Sequence, residues 1–293
     1  MTTTALDQCA RWNDPAFWQD LAPNLHVCDP AFIGTQSQIT YGADVLKTLQ
    51  ADLLEEGYTR FEPGDWNTDI AALADFIGTV HGQGLLPVFA FIYDEYWLLF
   101  FKQRAFLAHI LGEDYRALPD FWAWCLPPGK DSAGFAAHRD RGHVSLFPGN
   151  RPKSLTLWIA LTEATAENGC IYVLPADRDK TYGTPNDGTW SFEHNDIRAL
   201  PCAAGTVMCW NQALLHWGGR SSKRAQGPRI SVSVEFQRGD VPAFNKPLLP
   251  NDGLPPFDLR LKLIALQILQ YKHLYPLSPE LEAFIMSLGM GGA

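Results

Sequence analysis

The sequence lacks a C-x-x-C pair. Its six cysteines, Cys9, Cys28, Cys125, Cys170, Cys202 and Cys209, are scattered. That spacing gives no zinc ribbon and no disulfide framework, so the cysteines read as reduced thiols, mostly small buried side chains, in a cytoplasmic protein. Long hydrophobic runs are also absent. Nothing approaches the roughly 18 apolar residues that span a bilayer. The opening stretch MTTTALDQCARW has no basic start followed by an apolar segment, so it does not read as a signal peptide. Positive charge is scarce too. Lys and Arg number 23 against 32 Asp and Glu, for a net charge of −9. An acidic chain argues against nucleic acid or an anionic membrane as the main partner, since both need a basic face. Internal repeats, low-complexity tracts and long linkers are missing as well.

What is present is a large stock of core-forming residues. Hydrophobic residues make up 46% of the chain and charged residues 19%, with ten Trp and 17 Phe among its 293 residues. That composition suits a globular protein with a sizeable core. Apolar residues recur at helical spacing over 44–56, 68–82 and 94–112, with Gly57, Gly82 and Gly112 as stop signals. Helix is therefore expected through the first third, about 1–118. From about 119 to 240 the texture changes to short apolar runs broken by Gly, Pro and Asn: FWAWCLP (121–127), SLTLWIAL (154–161), GCIYVLP (169–175), GTVMCWN (205–211) and RISVSVEF (229–236). Many short strands of this kind read as a sandwich or barrel. Helical spacing returns over about 257–275. The expected architecture is one domain over 1–293, mainly β with flanking helices.

The stretch FAAHRDRGH (135–143) raises a question of chemistry. On an extended strand, residues i and i+2 share a face, so His138 and Asp140 would project together and Arg139 oppositely. An imidazole nitrogen and a carboxylate oxygen placed that way can bind one metal ion. Alone, H-x-D is also what a surface strand gives by chance. A third ligand is offered by His216 in WNQALLHWGG, which follows an expected strand and precedes a Gly-Gly turn. Two His and one carboxylate form the facial set of non-haem Fe(II) oxygenases.

Farther on, PRISVSVEFQ alternates strictly. Arg229, Ser231, Ser233 and Glu235 share one face, and Ile230, Val232, Val234 and Phe236 the other. An arginine opening an inward face needs an anionic partner. Its planar fork suits a carboxylate, with the Ser231 hydroxyl beside it. A dicarboxylate such as 2-oxoglutarate fits, one end on the iron and the other on Arg229. Arg220 and Arg224 in GGRSSKRAQGP (218–228) are rival anchors, but neither stands on a clear strand.

Taken together, residues 121–238 resemble the phytanoyl-CoA dioxygenase family of Fe(II)/2-oxoglutarate oxygenases. The order of H-x-D, a strand, the phrase WIALTEATAENGCIYVLP (158–175), a distal His and an Arg on the last core strand carries the resemblance, with ATAENGC its most family-specific part. The resemblance implies a double-stranded β-helix, the jelly-roll or cupin-like core. It implies that His138, Asp140 and His216 hold Fe(II), that Arg229 and Ser231 bind 2-oxoglutarate, and that Thr156 and Trp158 stand on a strand lining the co-substrate pocket. O2 would be the oxidant, with 2-oxoglutarate converted to succinate and CO2. Halogenating relatives replace the carboxylate with Ala or Gly. Asp140 is retained here, which favours hydroxylation, desaturation or ring formation. Trp217, beside His216, and Arg139 and Arg141, flanking Asp140, are candidates for substrate contact.

The substrate expected is a small metabolite or natural product. A CoA thioester is the alternative, yet its phosphates would want a cationic cluster, and only RSSKR (220–224) approaches one. A non-catalytic jelly-roll binding protein, or one using another metal, is the rival from outside this class. A homodimer is compatible with the sequence.

Overall fold

The computed structural model describes residues 11–129 and 132–289. Cys9 and the first ten residues, read above as a reduced thiol and as no signal peptide, lie outside the described residues. Two antiparallel sheets carry the architecture, with helices laid against the larger. The larger sheet orders β1 (Tyr58–Phe61), β6 (Val207–Asn211), β3 (Ser154–Ala160), β8 (Arg229–Gln237) and β2 (Arg116–Leu126) as β1-β6-β3-β8-β2. The smaller orders β5 (Arg198–Leu200), β4 (Ile171–Leu174) and β7 (Leu215–Gly218) as β5-β4-β7. This is a mainly β fold with flanking helices, as the sequence led us to expect, built as two facing sheets.

Period-two alternation explains why the larger sheet lies between two layers. Leu155, Leu157 and Ile159 of β3, Val207 and Cys209 of β6, and Ile230, Val232, Val234 and Phe236 of β8 face the helices in one large core. The opposite face sends Trp158 and Ala160 of β3 and Met208 and Trp210 of β6 toward Ile171 and Val173 of β4 in a second core between the sheets. Register then aligns the inward positions. Thr156 pairs with Trp210 on one side and Glu235 on the other.

Six helices precede the main strands or separate them: α1 (Pro15–Leu21), α2 (Pro30–Gly34), α3 (Ala43–Glu55), α4 (Ile70–Gly82), α5 (Asp94–Phe101) and α6 (Arg104–Leu111). Helices α7 (Phe257–Tyr271) and α8 (Pro279–Gly289) follow. Asp14, Asp29 and Asp69 cap α1, α2 and α4 by accepting from backbone N–H groups in the first turn. The periodicity over 94–112 predicts one helix, and the structure breaks it at Lys102 and Gln103. Both side chains are recruited by the preceding segments: Lys102 Nζ donates to Trp66 O and Thr68 Oγ1, and Gln103 accepts from the Tyr41 hydroxyl. No described helix is long and apolar enough to cross a membrane.

Candidate metal centre

The H-x-D tripeptide is not part of a ladder strand. It lies in the loop after β2 and touches the smaller sheet through a single antiparallel bridge between His138 and His216. Their backbone N–H and C=O groups exchange hydrogen bonds of 3.0 Å each. Arg139 is drawn away from any ladder: its guanidinium pairs with Asp179 at 2.6 Å and donates to the carbonyls of Asp187 and Ala213. Anchored thus, the loop still delivers its two flanking side chains to one side. His138 Nε2 lies 3.3 Å from Asp140 Oδ1, and His216 Nε2 lies 3.5 Å from the same oxygen. One ligand atom from each residue falls within 4.8 Å of the others, so the three could hold a metal ion.

The surroundings aim these atoms. His138 Nδ1 sits 2.7 Å from Ala136 O, and His216 Nδ1 sits 3.1 Å from Leu214 O. A carbonyl there requires the proton on Nδ1, which leaves each Nε2 as a lone pair facing Asp140. Asp140 Oδ2 accepts from Thr156 Oγ1 at 2.7 Å and from Trp210 Nε1 at 3.0 Å, so only Oδ1 is left to face the histidines. Burial alone would raise the Asp140 carboxyl, but His216, His138 and the Thr156 hydroxyl outweigh it and hold it well below the usual range. Burial pulls His216 down to about 4. On the more open His138 burial acts the same way, but the hydrogen bond and charge of Asp140 win and raise it.

Arg229 opens β8 at 1% exposure. Among the described residues it has no carboxylate partner. Nη1 donates to Ser231 Oγ at 2.7 Å, Nε is buried without a partner, and the guanidinium lies 5.6 Å from the Trp158 ring. Trp158 Nε1 is likewise buried and unpartnered. Burial with no acid beside it brings the Arg229 pKa down to about 10. A buried cation in this state calls for an anion. Gly134 and Gly218 make room for it, since a Cβ on Gly134 would lie 3.3 Å from Arg229 Nη2. Arg224 instead meets Glu167 at the surface, and Arg220 is exposed.

These groups line a cavity of about 70 Å³ shared by both sheets, with His138, Asp140, His216, Arg229, Thr156 and Trp158 in its wall. A wider chamber of about 840 Å³ shares His138, Asp140 and Trp124 with it and adds Arg141. Of the other residues expected at a site, Arg141 reaches this chamber, whereas Arg139 and Trp217 are outside both linings. Trp217 stacks on Tyr172 and Phe192 instead. Sequence reasoning missed Trp210 as a donor to Asp140, and it missed the pairing of Arg141 with Asp120 and Glu235. Both depend on strand register that no local pattern reveals.

Residues 59–227, more than half of the chain, match the family model described as phytanoyl-CoA dioxygenase (PhyH). The chain belongs to that family. The three converging residues all fall within the matched segment. A curated relative, the dioxygenase lolE1 of Epichloe uncinata, is 26% identical over 188 residues, which is 59% of this chain and 66% of that protein. The match thus spans just under two thirds of the relative. Among solved structures, the epimerase SnoN in complex with Fe3+, alpha ketoglutarate and nogalamycin RO superposes at TM-score 0.53 and 15% identity, over 72% of this chain and 97% of SnoN. The non-heme monooxygenase ThoJ gives 0.57 at 13% identity, over 82% of this chain and 99% of ThoJ. At these identities the likeness is one of fold.

Proposed function

We propose that this family member is a non-haem Fe(II)- and 2-oxoglutarate-dependent dioxygenase that oxidises a C–H bond of a small-molecule metabolite or natural product, most simply by hydroxylation. 2-Oxoglutarate is consumed to succinate and CO2. One observation carries the reading: two imidazole Nε2 atoms and one carboxylate oxygen converge in the same cavity as a buried arginine with no acid partner. The donor set suits a divalent iron, and Arg229 with Ser231 suits the far carboxylate of a dicarboxylate. Iron, when bound, supplies the activation of dioxygen that amino acid side chains lack. The chain's own residues do the rest. Ala136 O and Leu214 O fix the imidazole tautomers, Thr156 and Trp210 orient Asp140, and Trp158 backs the arginine. The sheets exclude bulk water from Arg229. The dioxygenase lolE1 supports the same class, and ThoJ and SnoN share the fold.

A CoA thioester fits less well, because Arg220 and Arg224 are outside both cavity linings. The whole chain acts as one unit in this reading, since α7 supplies Tyr271 to the cavity wall. The five cysteines among the described residues are all free, which agrees with a cytoplasmic setting. The test is succinate release from 2-oxoglutarate. Release should require Fe(II), and His138→Ala, Asp140→Ala and His216→Ala should each abolish it. Arg229→Ala should raise the apparent KM for 2-oxoglutarate about ten- to thousandfold by removing a buried charged pair, while Arg224→Ala leaves it unchanged. Full activity and iron affinity in Asp140→Ala would end the assignment.

A further inference from the structure

The cavity carries a second feature that the metal and 2-oxoglutarate do not use. Asp120 of β2 and Glu235 of β8 both line it, and both lean on the same atom, Arg141 Nη2, at 2.9 and 2.6 Å. Asp120 is otherwise satisfied by Asn245 Nδ2. Glu235 Oε1 has no hydrogen-bond partner among the described residues. One guanidinium thus faces two carboxyl groups, and no second Lys or Arg of the lining stands beside them. Burial, then the charges of Asp140 and Asp120, pushes Glu235 up to about 8, so this carboxyl takes a proton where no cation stands beside it.

The rest of the charge inventory points the same way. With Fe(II) on Asp140 and 2-oxoglutarate on Arg229, formal charges of +2, −1, −2 and +1 cancel. Among the described residues, Arg229 and Arg141 are the only Lys or Arg in the two linings, and both are then committed. The lining also carries aromatic rings. Trp124 meets Phe135 edge-on at 5.7 Å, and Phe135 lies 5.1 Å from Tyr271 and 6.0 Å from His138.

We propose that the substrate bears a cationic nitrogen, a protonated amine or an alkylated ammonium, seated between the Asp120 and Glu235 carboxylates and the rings of Trp124, Phe135 and Tyr271. Carboxylates supply charge, and ring faces add cation–π attraction that strengthens in a dehydrated site. This names the substrate class of the oxygenase proposed above and rests on that reading. An anionic substrate would meet these acids and no uncommitted cation. A neutral polyol would bring no cation to Glu235 and gain nothing from its ionisation.

Three probes of similar size separate these cases: cyclohexylammonium, cyclohexanol and cyclohexanecarboxylate. Their binding is measured by calorimetry and ligand-observed NMR on the full chain loaded with Zn(II) and 2-oxoglutarate. Cyclohexylammonium should bind at least about tenfold tighter than cyclohexanol, with the carboxylate weakest. The preference should vanish in Asp120→Asn/Glu235→Gln and fall several-fold in Tyr271→Leu, whose wall loses a ring and no charge. Equal binding of the ammonium and the alcohol, tighter binding of the carboxylate, or a preference that survives the double substitution overturns the proposal. If the double variant does not fold, the wild-type ranking and Tyr271→Leu decide. Zn(II) and 2-oxoglutarate are titrated separately. Their failure to bind the wild type would defeat the oxygenase reading, and the probes are then ranked on the unloaded chain, where the same preference is expected.

Discussion

Asp140 is held by more than its two histidines. Thr156 Oγ1 holds Oδ2 while itself accepting from Gln212 Nε2 at 3.2 Å, so the carboxylate cannot turn without breaking a chain of donors. Thr156→Val keeps the shape and deletes the donor. Metal affinity should fall about ten- to hundredfold, as for lost partners of ligating groups elsewhere, and Thr156→Ser should restore most of it, read by Co(II) titration. Glu235 makes a different prediction. Its carboxyl is raised in the folded protein to about 8 from an ordinary 4.5. Between those values the folded chain keeps a proton that the unfolded chain releases, so Glu235 subtracts stability as pH rises from about 4.5 to about 8. Glu235→Gln should flatten that decline in metal-free protein, measured as the melting temperature against pH. An unchanged slope would show that Arg141 already keeps Glu235 ionised.

Elements explain what was legible beforehand. The runs that became β2, β3, β4, β6 and β8 carry enough Val, Ile, Leu and aromatic residues to be recognised, and the alternation of β8 already placed Arg229 and Glu235 on one face. β5 has three residues and β1 four, too few for any period to show, and β7 is masked by the Trp-Gly-Gly that follows it. Helices α1 and α2 fall in the part expected to be helical but are too short, at seven and five residues, to show a period, and each starts on a proline behind an Asp cap; α8 was not expected. His138, Asp140, His216 and Arg229 could be named from spacing. Trp210 and Asp120 could not, because their partners are set by pairings far along the chain. The loop carrying H-x-D closes on β7 where Gly134 meets Gly218, and a Cβ on Gly134 would lie 2.7 Å from the Gly218 Cα. Gly134→Ala should therefore cost about 1–3 kcal/mol in urea denaturation and weaken 2-oxoglutarate binding by shifting Arg229. Unaltered stability would mean that the loop can yield.

At the scale of the molecule, the carboxy-terminal helix is bound to the amino-terminal layer by one buried ion pair. Arg260 of α7 lies 2.6 Å from Asp94 and also donates to the carbonyls of Pro255 and Ile92, while Asp94 accepts from the backbone of Cys28 and Asp29. Arg260→Met strands a buried carboxylate and should cost about 3–5 kcal/mol. Adding Asp94→Asn should recover part of that loss in equilibrium unfolding. Independent effects of the two substitutions would refute the tie. The helix held this way carries Tyr271, and Tyr275 follows just beyond it; both line the wider chamber. Both also lie past residue 227, where the family match ends, while the three converging residues lie before it. The three converging residues and this part of the chamber wall thus lie on different stretches of chain. A substitution at Tyr271 or Tyr275 can therefore reshape the chamber while leaving His138, Asp140 and His216 untouched, so one face of the cavity is free to vary on its own.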